Sequence, residues 1–160
     1  DVSEPAPLSP DAERHRFFES VVRFFKRLAT GWGAGAVVVI DDNQVNRELA
    51  VDILHAAGFT VFEAASGPAA LTLIERTMPD VVLMDVMMPV MDGVTALRQL
   101  RAQEAMSGRR TPVLMVTAHA MTGDKERFIA AGADGYVSKP MSQAALQKEI
   151  TRVLTPVNPA

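Results

Sequence analysis

The stretch AVVVIDDNQ, residues 36–44, decides the fold class, because it joins an apolar run directly to a pair of acidic residues. Four of its first five residues are β-branched, which is typical of a short strand buried on both faces of a parallel sheet. Asp41 and Asp42 follow at once. Two carboxylates about 4 Å apart repel by about 4 kcal/mol at an effective dielectric constant of about 20. Such a pair therefore needs a cation, either a divalent metal ion or a nearby ammonium group.

Outward from this strand, apolar runs alternate with segments of helical periodicity along the chain. We predict strands over residues 36–40, 59–64, 81–85, 112–117 and 133–138. We predict helices over residues 44–57, from Ser66 onward, over residues 93–105 and 122–131, and after Ser142. Five strand–helix units of this length indicate an α/β fold, a doubly wound parallel sheet with helices on both faces.

The residues before the first strand have a different character. Residues 1–10 contain three prolines and are predicted to be disordered, and residues 11–29 carry apolar side chains at helical spacing opposite a basic face. Residues 30–35, TGWGAG, form a glycine-rich linker, and residues 157–160 form a tail. An exposed apolar helix face requires a cover, so we expect homodimerisation through the helix of residues 11–29. Contact of that helix with a membrane surface is the less favoured alternative.

Composition excludes several classes of function. The chain has no cysteine, which rules out disulfides and thiol chemistry, and its net charge of −3 gives no general attraction to nucleic acid. No apolar run approaches the roughly 20 residues that a membrane span needs. The acidic, proline-rich start does not resemble a signal peptide, so we expect a cytoplasmic protein.

Polar side chains follow four of the five predicted strands. Asp41 and Asp42 follow the first strand, Asp85 ends the third, Thr117 ends the fourth and Lys139 follows the fifth. Each of these residues alone is explained as well by a helix cap, a structural hydroxyl or a surface lysine. Because ligands bind at the carboxyl edge of a doubly wound sheet, their coincidence at that edge favours a site. A cluster of carboxylate oxygens suits Mg²⁺.

The motifs VIDDNQVNRELA, PDVVLMDVMMPVMDG, PVLMVTAHAMTGD and AGADGYVSKP carry a resemblance to a known family. From residue 36 to residue 156 the chain resembles the receiver domains of two-component response regulators. The resemblance implies a flavodoxin-like sheet of order 2-1-3-4-5 and Asp85 as the phosphoacceptor. It also implies that Asp42 binds Mg²⁺ directly, that Asp41 binds it mainly through water, and that Asp85 and the backbone carbonyl of Met87 are further ligands.

The same resemblance assigns the remaining roles. Thr117 resembles the switch hydroxyl, Lys139 the phosphate-binding lysine, and Tyr136 the aromatic that turns inward on activation, while the Lys139–Pro140 bond is expected to be cis. The donor would be a histidine kinase or a histidine phosphotransfer protein. The expected partner surface consists of Val45, Asn46, Leu49, His119 and Met121. The chain would then be a signalling phosphoacceptor that assists its own phosphorylation and dephosphorylation, and not an enzyme.

Several alternatives stay open at this point. The finer resemblance is to receivers of hybrid kinases and phosphorelays or to single-domain receivers. Only about twenty residues follow Lys139, so we expect no direct DNA binding. A docking or dimerisation module that keeps the fold without phosphorylation is the main non-catalytic alternative. A phosphohydrolase of the haloacid dehalogenase type is less favoured, because Met87 stands where that family expects a second acid.

Overall fold

The computed structural model describes Arg14, residues 35–118 and residues 120–154, in which five strands alternate with five helices. These are β1 (Ala36–Ile40), α1 (Gln44–Ala56), β2 (Thr60–Ala64), α2 (Gly67–Thr77), β3 (Val81–Asp85), α3 (Gly93–Ser107), β4 (Val113–Thr117), α4 (Asp124–Ala131), β5 (Gly135–Ser138) and α5 (Gln143–Leu154). Apart from Arg14 and Gly35, the predicted disordered start, N-terminal helix and linker lie outside the described residues, as does the tail.

The five strands form one parallel sheet in the order β2-β1-β3-β4-β5. This order confirms the predicted fold class and places β3 at the centre of the sheet. Crossing from β1 to β3 creates the point where the strand order reverses, and ligand sites of doubly wound folds lie beyond the strand ends at such a point. The carboxyl ends of β1 and β3 are therefore the expected position of a site.

Alternation along the strands divides the core into two layers. Val37 and Val39 point into the layer that α1 and α5 cover, while Val38 and Ile40 point into the layer that α2, α3 and α4 cover. Every residue of β3 and of β4 is buried. These central strands therefore carry continuous apolar runs, since helices shield both of their faces from water.

Most helix starts follow from local capping chemistry. The side chains of Asn43, Ser66 and Asp92 accept hydrogen bonds from backbone N–H groups in the first turns of α1, α2 and α3. The start of α4 was predicted near Thr122, and this prediction is wrong. The helix begins at Asp124, because Gly123 takes a positive φ of 91° that interrupts the helical path.

The last strand is also shorter than predicted. We expected it to start at residue 133, but β5 begins at Gly135. The backbone N–H of Ala133 instead closes the end of α4 on the Phe128 carbonyl, and the N–H of Asp134 bonds to the Val113 carbonyl. No helix of the described residues is long and apolar enough to cross a membrane.

Candidate acidic site

The carboxyl edge of the sheet brings the predicted polar residues together. Asp41 follows β1 and Asp85 ends β3, and both are buried, whereas Asp42 is exposed to solvent. One carboxylate oxygen from each of these three residues lies within 4.8 Å of the other two. The site therefore combines two acids of low solvent access with a third that is open to water.

Asp85 owes its position to the central strand and to the helix that follows. It pairs with Val116 across the sheet and is 3% exposed. The backbone N–H of Gly93 donates to the Val86 carbonyl at 2.9 Å, which places the start of α3 against the end of β3. A Cβ at Gly93 would clash with the Asp85 carbonyl oxygen, so this close approach requires glycine.

Lys139 links the two buried acids. Its Nζ lies 2.9 Å from Asp41 Oδ2 and 3.0 Å from Asp85 Oδ1. The peptide bond between Lys139 and Pro140 is cis, as the resemblance implied, and the Lys139 N–H donates to the Thr117 carbonyl at 2.8 Å. The ammonium group therefore compensates Asp41, the buried member of the acid pair in the opening stretch, together with Asp85.

The surroundings change the proton affinity of both partners. Burial raises the pKa of Asp85 to about 6, the hydrogen bond from Lys139 opposes this rise, and the Asp41 charge adds to it. Burial would lower the pKa of Lys139, but hydrogen bonds to Asp41 and Asp85 raise it above its usual value. Lys139 therefore remains an ammonium group near neutral pH.

The donor set fits a hard divalent cation. Carboxylate oxygens are the ligands that Mg²⁺ prefers, and Mg²⁺ keeps several waters that the solvent-facing side at Asp42 can accommodate. Met87 lies just after Asp85, and its backbone N–H donates to the Asp85 carboxylate. Its side chain is 76% exposed, so the residue reaches the site through its main chain.

The predicted switch residues lie on neighbouring strands. Thr117 ends β4 and is 5% exposed. Tyr136 lies in β5 and is partly buried, with its ring centroid 6.2 Å from that of Phe128 on α4. The structure therefore places the Tyr136 side chain on β5 against α4.

The predicted partner residues lie on two segments. Val45 and Leu49 are exposed on α1, and Asn46 is half-buried with its N–H bonded to the Asn43 side chain. Met121 is 72% exposed in the segment between β4 and α4. His119 lies outside the described residues.

Sequence reasoning missed Arg47, which supports the acid pair from α1. Its Nη1 donates to the Asp41 carbonyl at 2.7 Å, and its Nε lies 3.6 Å from Glu63 Oε1 on β2. The contact holds the main chain at Asp41 against the end of β2. An arginine six positions after the first acid was the available signal, but spacing alone does not distinguish it from a solvated residue.

Fold and site together define a flavodoxin-like domain with an acidic site at the carboxyl edge of a 2-1-3-4-5 sheet. The family model for the response regulator receiver domain matches residues 37–151. The chain belongs to this family. It is thus a signalling domain of the two-component class, and receiver domains of this class are not classical enzymes.

Individual relatives agree with this assignment. The chain is 37% identical over 107 residues to the polar-differentiation response regulator DivK of Brucella ovis, covering 67% of this chain and 85% of DivK. It is 38% identical over 119 residues to hybrid signal transduction histidine kinase I of Dictyostelium discoideum, covering 71% of this chain but only 7% of that kinase.

A solved structure gives the same result. The receiver domain of a sensor histidine kinase from Pseudomonas aeruginosa PAO1 is similar with a TM-score of 0.67 and 38% sequence identity. The similarity covers 75% of this chain and 97% of that domain, whose structure holds a magnesium ion coordinated in its active-site cleft.

Proposed function

We propose that this chain is a phosphoacceptor that takes a phosphoryl group from a phosphohistidine onto Asp85. The observation that carries the proposal is the contact of the Lys139 ammonium with Asp85 at 3.0 Å, inside a cluster of three carboxylates. A lone buried acid would be explained by a structural role. An acid that lies beside an ammonium group and two further acids has the groups needed to bind and accept a phosphoryl group.

The reaction is a displacement at phosphorus. The Asp85 carboxylate oxygen forms the new P–O bond while the P–N bond to the donor imidazole breaks, and the imidazole keeps the electron pair and takes up a proton. Burial of Asp85 keeps competing water away, and the Lys139 ammonium stabilises charge on the transferring oxygens. Phosphoryl transfer depends mainly on such positioning and charge neutralisation.

Mg²⁺, when bound, supplies further charge neutralisation at the same site. We assign direct binding to Asp42 and water-mediated binding to Asp41. We assign the remaining ligands to Asp85 and to the Met87 carbonyl. The exposure of Asp42 and the close approach of its carboxylate to those of Asp41 and Asp85 support this assignment.

After transfer, the phosphoryl oxygens attract the Thr117 hydroxyl from the end of β4. We propose that Tyr136 then moves into the space beside it, which changes the packing of Tyr136 against Phe128 and alters the surface of α4. We expect the output partner to contact this surface and the segment of the chain that precedes α4, to which Met121 and His119 belong.

The donor is a histidine kinase or a histidine phosphotransfer protein, and we place its contact on α1 at Val45, Asn46 and Leu49. Two of these side chains are exposed and apolar next to the acidic site. We propose a cytoplasmic location because the reaction needs such a donor. The same surfaces would also serve a docking module that is never phosphorylated, which is the second candidate function.

Intact mass spectrometry separates the two candidates. The chain is incubated with acetyl phosphate in the presence and absence of Mg²⁺, and Asp85→Asn is treated in the same way. The proposal predicts one added phosphoryl group on the parent with Mg²⁺, and none without Mg²⁺ or on the variant. A parent chain that stays unlabelled with Mg²⁺, or a variant labelled as fully as the parent, contradicts it.

A further inference from the structure

The loop between β3 and α3, residues 86–92, is anchored firmly on its inner side. Val86 and Met88 are buried, and Met91 packs against the same core layer beside Gly67. The hydrogen bond from the Gly93 N–H to the Val86 carbonyl closes the loop at its base. The loop therefore has a defined shape immediately next to Asp85.

Two apolar side chains of this loop point outward. Met87 is 76% exposed and Val90 is fully exposed. Val90 has a φ of 68°, and the Met91 N–H donates to the Pro89 carbonyl at 2.8 Å, so Val90 is the central residue of a γ-turn. Its conformation is thus fixed by the main chain.

Valine is an unfavourable residue for this position by two criteria. A β-branched residue is strained at positive φ, where glycine has no steric cost, and a fully exposed isopropyl group gains nothing from burial. Val90 makes no contribution to the core that would offset this strain. Strained residues concentrate at functional sites, so a contact outside the chain is the physical reason to consider.

The position of Asp85 indicates which partner makes that contact. Because Asp85 is 3% exposed, a protein that delivers a phosphoryl group to it must lie over the opening of the site. Such a protein covers the loop that begins at the next residue. Val45, in the first turn of the helix that follows the acid pair, is a further exposed apolar side chain near the site, at 72% exposure.

We propose that Val90, with Met87 beside it, is a docking residue for the protein that donates the phosphoryl group. The partner is a protein surface on which a phosphohistidine lies next to an apolar patch. Because the γ-turn fixes Val90 and the loop is anchored from inside, little conformational freedom is lost when the donor binds. This inference rests on the proposed function and names the partner contact of the same site.

The experiment compares a protein donor with a small donor that has the same reacting bond. The protein donor is the histidine phosphotransfer domain, from a panel loaded with radioactive phosphate, that transfers fastest to the parent chain. The small donor is phosphoramidate, whose P–N bond matches that of phosphohistidine but which has no protein surface. The acceptor variants are Val90→Ala and Val90→Gly. Alanine still has a Cβ and is therefore strained at this positive φ, whereas glycine relieves the strain.

We expect both variants to slow transfer from the protein donor by about five- to tenfold, the effect of losing one well-buried apolar contact. Labelling by phosphoramidate should stay within about twofold of the parent rate for both. The matched control is Met106→Ala, because Met106 is 92% exposed near the far end of α3, about 20 Å along the helix from Gly93. It should match the parent with both donors.

Three results would overturn the inference. The first is transfer from the protein donor at the parent rate in both Val90 variants. The second is equal slowing with both donors, which would mean that the loop shapes the site and does not contact the partner. The third is equal slowing in Met106→Ala. A parent chain that phosphoramidate fails to label would instead refute the proposed function itself.

Discussion

At the scale of single residues, Lys139 connects the acids on which the function depends. Its ammonium group lies within 3.0 Å of carboxylate oxygens of both Asp41 and Asp85, although 98 positions separate Lys139 from Asp41 along the chain. The positive charge of Lys139 compensates the negative charge of these two carboxylates, which would otherwise destabilise the carboxyl edge of the sheet. Even so, burial leaves the Asp85 carboxylate with a raised pKa, which means that its ionised form is held at a cost to stability.

A prediction for the metal-free chain follows from this shift. The pKa of Asp85 is about 6 in the folded chain against an ordinary value of 3.8, so between these values the folded chain binds the proton more strongly than the unfolded chain. The free energy of unfolding therefore falls as pH rises through this window, and the cost stays above it. Asp85→Asn should raise the free energy of unfolding at pH 7.5 by roughly 1–2 kcal/mol and reduce its fall between about pH 4 and pH 6.

Urea unfolding in the presence of a chelator measures this effect. The matched control is Asp52→Asn, since Asp52 is exposed on α1 and should change stability by less than about 0.5 kcal/mol. An Asp85→Asn chain that is less stable than the parent at pH 7.5 would show that the carboxylate is not held at a cost.

The sequence identified the members of the site but not all of their contacts. Asp41, Asp42, Asp85, Thr117 and Lys139 could be predicted because each lies at the end of an apolar strand, and strand ends converge in a parallel sheet. The bond between Lys139 and Asp41 could not be predicted, because it depends on side-chain reach across the site. The support of Asp41 by Arg47 was missed for the same reason.

At the scale of elements, the strands were predicted more reliably than the turns between them. Apolar runs such as VVLMD are long enough to identify β3, and burial of every residue in the strand explains why. The start of α4 was misplaced because helix periodicity does not reveal the positive φ of Gly123. Asp124 then accepts a hydrogen bond from the Met121 N–H, a local arrangement that periodicity does not specify.

The cap of α3 gives a prediction at this scale. Asp92 Oδ1 accepts a hydrogen bond from the Thr95 N–H at 2.7 Å, and this bond lowers the pKa of Asp92. Asp92→Ala should lower the free energy of unfolding at pH 7 by about 1 kcal/mol, whereas Asp92→Asn should cost much less because asparagine also caps helices.

The stabilising contribution of the Asp92 cap should decrease at low pH. Because the pKa of Asp92 is lowered in the folded chain, its contribution is fully present above about pH 4 and is lost as pH falls through the lowered value. Chemical unfolding of the parent and of both variants across this range tests the point. Equal stability of Asp92→Ala and the parent at pH 7 would show that the cap contributes nothing.

At the scale of the whole molecule, the acidic site and a partly buried ionic network lie at opposite ends of the strands. Asp134, in the turn between α4 and β5, accepts hydrogen bonds from Arg101 at 3.0 Å, Arg110 at 2.9 Å and the Val113 N–H at 2.9 Å. Arg101 also pairs with the buried Glu104 on α3. The network joins α3, the start of β4 and the start of β5 at the end of the sheet that lies away from Asp85.

Removing Arg101, the central cation of this network, should lower the stability of the chain without preventing its phosphorylation. Arg101→Met leaves Glu104 and Asp134 without their shared partner, so it should lower the free energy of unfolding by about 2–4 kcal/mol. Arg98→Met is the matched control, because Arg98 is exposed on the same helix and its loss should change the free energy of unfolding by less than about 0.5 kcal/mol.

Both variants should be labelled by phosphoramidate as fully as the parent while they remain folded. The measurements are urea unfolding and intact mass at the same temperature. Loss of labelling in a folded Arg101→Met chain would contradict the expectation that the ionic network does not affect the acidic site.

Chemical trapping of the phosphorylated residue tests whether Asp85 is the phosphoacceptor. The chain is treated with acetyl phosphate and Mg²⁺ and then reduced with sodium borohydride, which converts an aspartyl phosphate into homoserine, and the peptides are sequenced by mass spectrometry. We expect homoserine at position 85, with Asp41 and Asp42 unchanged and no conversion when Mg²⁺ is omitted. Homoserine at position 41 or 42, or an unmodified Asp85 in a chain that has gained a phosphoryl group, would contradict this expectation.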